Sequence, residues 1–99
     1  MAQVVYSDHA VTDMERLADF LVESDPALAF ETMAIIRDAV DILERHPLIG
    51  RQGEQGMREM VISRGRTGYI AIYDFIEADD AVLVLAIRHQ REAGFENLF

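Results

Sequence analysis

The feature that most constrains this chain is a change of apolar period at Gly50. Before it, apolar residues recur every three or four positions. After it, they run without polar interruption through residues 69–73 and 81–87. The first spacing is that of helices packed along one face; the second is that of strands covered on both sides. Helical and strand patterns are segregated rather than alternating, which predicts an α+β architecture and not a parallel α/β sheet.

Within that frame the elements can be placed. Gln3-Val4-Val5-Tyr6 reads as a short strand of β-branched and aromatic character. Ser7 stands at an N-cap position, and Val11, Met14, Leu17, Ala18, Leu21 and Val22 make one apolar stripe of a helix over about residues 8–23. Asp13, Glu15, Asp19 and Glu23 are assigned to its solvent side. Asp25-Pro26 then sets a capping carboxylate before a proline at the first helical position. The second helix carries Ala29, Met33, Ile36, Val40 and Leu43, widened by Leu28, Ile35 and Ile42, and ends at Arg45-His46-Pro47. Its apolar face spans roughly half the circumference, enough to touch both the first helix and a sheet.

Gly50, Gly53 and Gly56 mark an irregular connector. Residues 57–62 read as a strand, 64–68 as a turn, 69–76 and 81–87 as two further strands joined by the acidic 77–80 loop. The expected architecture is β-α-α-β-β-β, one domain over residues 1–99, with a helical hairpin packed on a mainly antiparallel four-stranded sheet. No apolar run approaches the roughly 20 residues of a membrane-spanning helix. The first eight residues lack the basic region and long apolar stretch of a signal peptide. With no cysteine in the chain, disulfides, thiolate metal sites and cysteine nucleophiles are excluded, and a cytoplasmic location is expected.

The charge is -9, with 18 acids against nine bases, and every base is arginine. Such a balance opposes high-affinity binding to phosphate backbones. Residues 1–50 hold ten acids and three arginines, whereas residues 51–99 hold eight acids and six arginines. The second half gathers Arg58, Arg64, Arg66, Arg88 and Arg91 around the ends of the predicted meander, with His89 among them. Guanidinium groups grip carboxylates in a planar, bidentate way, which suits a protein partner carrying acids. The same arginines would otherwise pair with Glu59, Glu92 and Glu96. His9 reads as a surface residue and His46 as a cation at a helix C-terminus, so no metal or cofactor site is expected. Phe20 and Phe30 fall off the main apolar stripes; such residues commonly pack under a loop, and they are candidate partner contacts. The tail at 94–99 carries two phenylalanines and is expected to dock on its own domain, a partner or a second copy.

Several strings in this order resemble the RelE/ParE toxin superfamily of type II toxin–antitoxin systems. They are Tyr6-Ser7 with Ala10 and Asp13, Leu43-Glu44-Arg45-His46-Pro47-Leu48-Ile49-Gly50, Met57-Arg58-Glu59, Gly68-Tyr69-Ile70-Ala71-Ile72-Tyr73, and Val82-Leu83-Val84-Leu85-Ala86-Ile87-Arg88-His89-Gln90-Arg91. The two long helices and the 46–50 stretch look closer to the ParE branch. The resemblance implies a growth-inhibiting plasmid-stabilisation-type toxin, bound in a hetero-oligomer by a ParD-like antitoxin and aimed at DNA gyrase, with no catalytic residues. The alternative that it implies is a RelE-like, ribosome-dependent mRNA endoribonuclease using Arg88, His89 and Arg91, or a family member without toxicity. The strand at 69–73 has no arginine or lysine where such nucleases carry one, which favours the non-enzymatic reading. A groove along the helical hairpin, with the arginine-bearing sheet edge, is expected to take an antitoxin segment that brings apolar anchors and acids.

Overall fold

The computed structural model describes residues 1–64 and 67–89, apart from the side chains of Ser63, Arg64 and Thr67. The elements in order are β1 (Gln3–Tyr6), α1 (Asp8–Ser24), α2 (Pro26–Asp41), a 3-10 turn (Ile42–Glu44), β2 (Arg51–Gln52), β3 (Arg58–Arg64), β4 (Thr67–Ile76) and β5 (Ala81–His89). Short 3-10 turns at Glu54–Gly56 and Glu77–Asp79 complete the connections.

Both helix starts follow from their caps. Ser7 Oγ accepts the Ala10 N–H at 3.1 Å. The Asp25 carboxylate accepts the N–H groups of Ala27 and Leu28 at 3.1 and 3.2 Å. Asp25 also closes α1, its own N–H donating to the Leu21 carbonyl at 2.8 Å, so a single extended residue both ends one helix and begins the next. The α-helical part of α2 stops at Asp41, and the remaining turn before Pro47 tightens to 3-10 geometry.

The described strands form one sheet in the order β1-β5-β4-β3-β2. The β3-β4-β5 meander is antiparallel, while β1 joins β5 in parallel, Gln3 opposite Ala81 and Tyr6 opposite Val84. The expected α+β arrangement holds, but the sheet has five strands rather than four. Arg51 and Gln52, read from sequence as connector, pair with Glu59 and Arg58. Two exposed polar residues carry no apolar alternation, so this strand exists through its ladder and an Arg51–Glu59 ion pair at 2.9 Å. Gly68, read as turn, lies inside β4 opposite Ser63.

Apolar strands are covered on both faces. Tyr69, Ala71, Tyr73, Val82, Val84 and Ile87 face the helices and meet Ala10, Leu17, Ile36, Val40 and Leu43. Ile70, Ile72 and Ala86 form a second small cluster with Met57 and Leu85. A bulge makes both possible in β5: Ile72 pairs with Ala86 but Tyr73 pairs with Val84, leaving Leu85 as the extra residue.

Candidate functional site

Past Tyr6, strand β1 ends, and the outer edge of β5 from Leu85 onward has no strand neighbour among the described residues. Side chains of the first helix take over that edge. Ser7 Oγ donates to the Leu85 carbonyl at 3.2 Å. Asp13 Oδ2 accepts the Ile87 N–H at 3.0 Å. A carboxylate therefore stands in for the missing rung of the ladder, and it satisfies a backbone donor that would otherwise be orphaned.

Asp13 is 1% exposed, so its charge needs answering from within the protein. Arg88 Nη1 donates to Oδ1 at 2.9 Å and Arg16 Nη2 to the same oxygen at 2.7 Å. His9 Nε2 lies 3.5 Å from Oδ2 and accepts from Arg88 Nη2 at 3.1 Å. His9, Asp13 and Arg16 stand at four- and three-residue steps on one stripe of α1 that faces the end of β5. The reading of Asp13 as a solvent-side acid is thus corrected. The signal was present: Ala10, Asp13 and Leu17 lie three and four apart, and all three are buried.

The other predicted site residues are distributed as follows. Arg58 Nη1 donates to the carbonyls of Gly50 and Leu48 at 2.8 and 3.3 Å. Tyr73 completes that clamp: its hydroxyl accepts the Gly50 N–H at 2.9 Å and donates to the Pro47 carbonyl at 2.8 Å. Burial raises the Tyr73 phenol above the ordinary tyrosine value, with the Gly50 hydrogen bond and Arg58 pulling the other way. These hydrogen bonds tie the 47–50 segment to β3 and β4, while the side chains of Leu48 and Ile49 stay exposed.

His89 sits opposite Tyr69 in the β4–β5 register, with the rings edge to face at a centroid distance of 5.3 Å. Arg88 and Arg58 are on different strands and hold different parts of the chain, so they do not form one patch with each other. The Arg64 side chain, Arg66, Arg91 and the 94–99 tail lie outside the described residues. Phe20 and Phe30 are not packed under loops; they are 68% and 79% exposed. Among the described residues there is no group of three or more potential metal ligands.

Residues 4–94 match the family described as "ParE toxin of type II toxin-antitoxin system, parDE". The chain belongs to the ParE toxin family. Its family makes it the toxin of a type II toxin–antitoxin system, within the RelE/ParE superfamily. Two curated toxins of Caulobacter vibrioides are similar. Toxin RelE3 is 32% identical over 92 residues, covering 93% of this chain and 98% of that protein. Toxin RelE2 is 33% identical over 90 residues, covering 90% and 96%. Among solved structures, the chromosomal ParDE system from P. aeruginosa contains a chain with a TM-score of 0.73 at 20% identity, covering 90% of this toxin and 96% of that chain. At that identity the likeness shows the fold.

Proposed function

We propose that this toxin acts by binding DNA gyrase, without a catalytic site of its own, and that a ParD-like antitoxin binds and neutralises it. The observation that carries the reading is the commitment of Arg88. It is the one arginine on the two central strands β4 and β5, and its guanidinium is engaged with a buried carboxylate rather than presented to a phosphate. Arg58 on the neighbouring strand is likewise engaged with backbone carbonyls. A net charge of -9 further opposes docking on ribosomal RNA. The antitoxin part rests on family membership, and on the similar P. aeruginosa structure being that of a ParDE system.

The relatives' names, Toxin RelE3 and Toxin RelE2, favour a second reading as a ribosome-dependent ribonuclease built on Arg88, His89 and Arg91. One experiment separates the two. The toxin is induced with and without its antitoxin while plasmid supercoiling and message integrity are followed together. Gyrase inhibition predicts trapped, cleaved DNA with intact message, and full toxicity in His89→Ala. Cleaved message in stalled ribosomes, abolished by His89→Ala, would overturn the gyrase reading.

A further inference from the structure

The backbone of the turn from His46 to Gly50 is satisfied from within the protein, although the turn lies at the surface. The His46 carbonyl accepts the Ile49 N–H at 3.1 Å, and the Pro47 carbonyl accepts the Tyr73 hydroxyl at 2.8 Å. The carbonyls of Leu48 and Gly50 accept the Arg58 guanidinium, and the Gly50 N–H donates back to the Tyr73 hydroxyl. A surface turn can leave such groups to water. Here a buried tyrosine of β4 and an arginine of β3 are committed to them.

What this backbone presents is apolar. Leu48 and Ile49 are each 58% exposed. Ile42, whose carbonyl accepts the His46 N–H at 3.0 Å, adds a third exposed apolar side chain. A backbone already hydrogen-bonded in place needs little further ordering when a partner covers such side chains. The charge around them also differs from that of the rest of the chain. No acid occurs from Arg45 to Gly53, in a sequence with 18 acids. Arg45 and His46 are exposed shortly before the apolar pair. Arg51 is balanced by Glu59, but Arg58 meets carbonyls, which carry no net charge and do not cancel its own. A second copy docking through this turn would set these cations against themselves, so self-association here is disfavoured.

We infer that Leu48 and Ile49 are the anchors by which the toxin engages its protein target, entering an apolar pocket whose rim carries carboxylates that meet Arg45. Two adjacent apolar side chains on a pre-set backbone, with arginine at the margin, have the make-up of an interface centre. The inference rests on the reading of gyrase as the target and adds to it the surface that makes the contact.

The test uses the full-length toxin and purified DNA gyrase, with binding and supercoiling inhibition measured in vitro and growth arrest followed on induction. Leu48→Asp with Ile49→Asp is expected to weaken binding and inhibition at least about thirtyfold and to abolish growth arrest. Leu48→Ala with Ile49→Ala, which adds no charge, should act in the same direction if the acidic pair disturbs folding, and urea midpoints check this. Arg45→Glu should weaken binding about tenfold, with less effect at high salt. Val5→Asp and Arg37→Glu, exposed elsewhere, should leave binding unchanged. A photo-crosslinking analogue in place of Leu48 should join the toxin to gyrase. Undiminished inhibition by both double variants, an equal loss in Val5→Asp, or a crosslink to a second copy or to the toxin's own residues 90–99 would each overturn the inference and leave the gyrase reading standing. A parent toxin that arrests growth without binding gyrase would overturn the gyrase reading instead. The turn is then judged on growth, and arrest by both double variants as strong as by the parent would overturn it. A parent that neither binds gyrase nor arrests growth would overturn both.

Discussion

A carboxylate as deeply buried as that of Asp13 persists only if its partners remove the cost of dehydration. Here three N–H donors do so, one of them the backbone of a sheet edge. Asp13→Ala removes the acceptor but leaves the Ile87 N–H and the Arg88 guanidinium in place, and is expected to cost about 3–5 kcal/mol. Urea denaturation measures this, and a loss below about 1 kcal/mol would show that water replaces the carboxylate freely. Gly50 is a second such position. A Cβ there would sit 2.7 Å from the Tyr73 hydroxyl and 2.9 Å from the Glu59 carbonyl oxygen. The backbone oxygen cannot swing away, so Gly50→Ala is expected to cost about 1–3 kcal/mol by overpacking. A thermal melt unchanged from the parent would mean that the 47–50 clamp yields without penalty.

The elements are held by caps that work in two directions at once. Ser7 accepts the Ala10 N–H at the start of α1 and donates to Leu85 in β5, so it ties helix to sheet. Ser7→Ala is expected to cost about 0.5–2 kcal/mol, and to raise amide exchange in the first turn of α1 and at the end of β5 together. Exchange rising in the helix alone would show that the strand does not depend on the cap. Both caps were legible in sequence, because Ser7 and Asp25-Pro26 are local signals with a local mechanism. The strands of the meander were legible for the same reason, their apolar runs being long and uninterrupted. What escaped was non-local. β2 has no pattern of its own and forms only because Arg58 and Glu59 lie across from it. Asp13 looks like any acid on an amphipathic helix until β5 presents an unpaired amide beside it. Arg88 was legible as a cation at the end of the last strand but not as the partner of a residue 75 positions earlier.

For the molecule as a whole, the absence of lysine and cysteine simplifies its behaviour in alkali, because tyrosine is then the side chain titrating near pH 10. Tyr6 and Tyr73 both hold their protons above the ordinary value. Burial is the main cause in each, and for Tyr6 the nearby Asp41 adds to it while Arg37 opposes. Among the described residues the buried Tyr6 hydroxyl has no hydrogen-bond partner, so none of them supports its ionised form. In the unfolded chain these phenols ionise near pH 10, so above that point the unfolded state binds fewer protons than the folded one. Stability is therefore whole below about pH 10 and falls as pH rises toward the higher folded values. Urea midpoints measured from pH 8 to about pH 11.5 should stay level and then decline. Growing negative charge on an already acidic chain would also lower stability in alkali, and Tyr6→Phe separates the two causes. The variant lacks the buried phenol, so its decline should be shallower, and at neutral pH it should be as stable as the parent or more so, since an unpartnered buried hydroxyl is lost. A decline in Tyr6→Phe as steep as in the parent would assign alkaline unfolding to overall charge and not to the buried tyrosine.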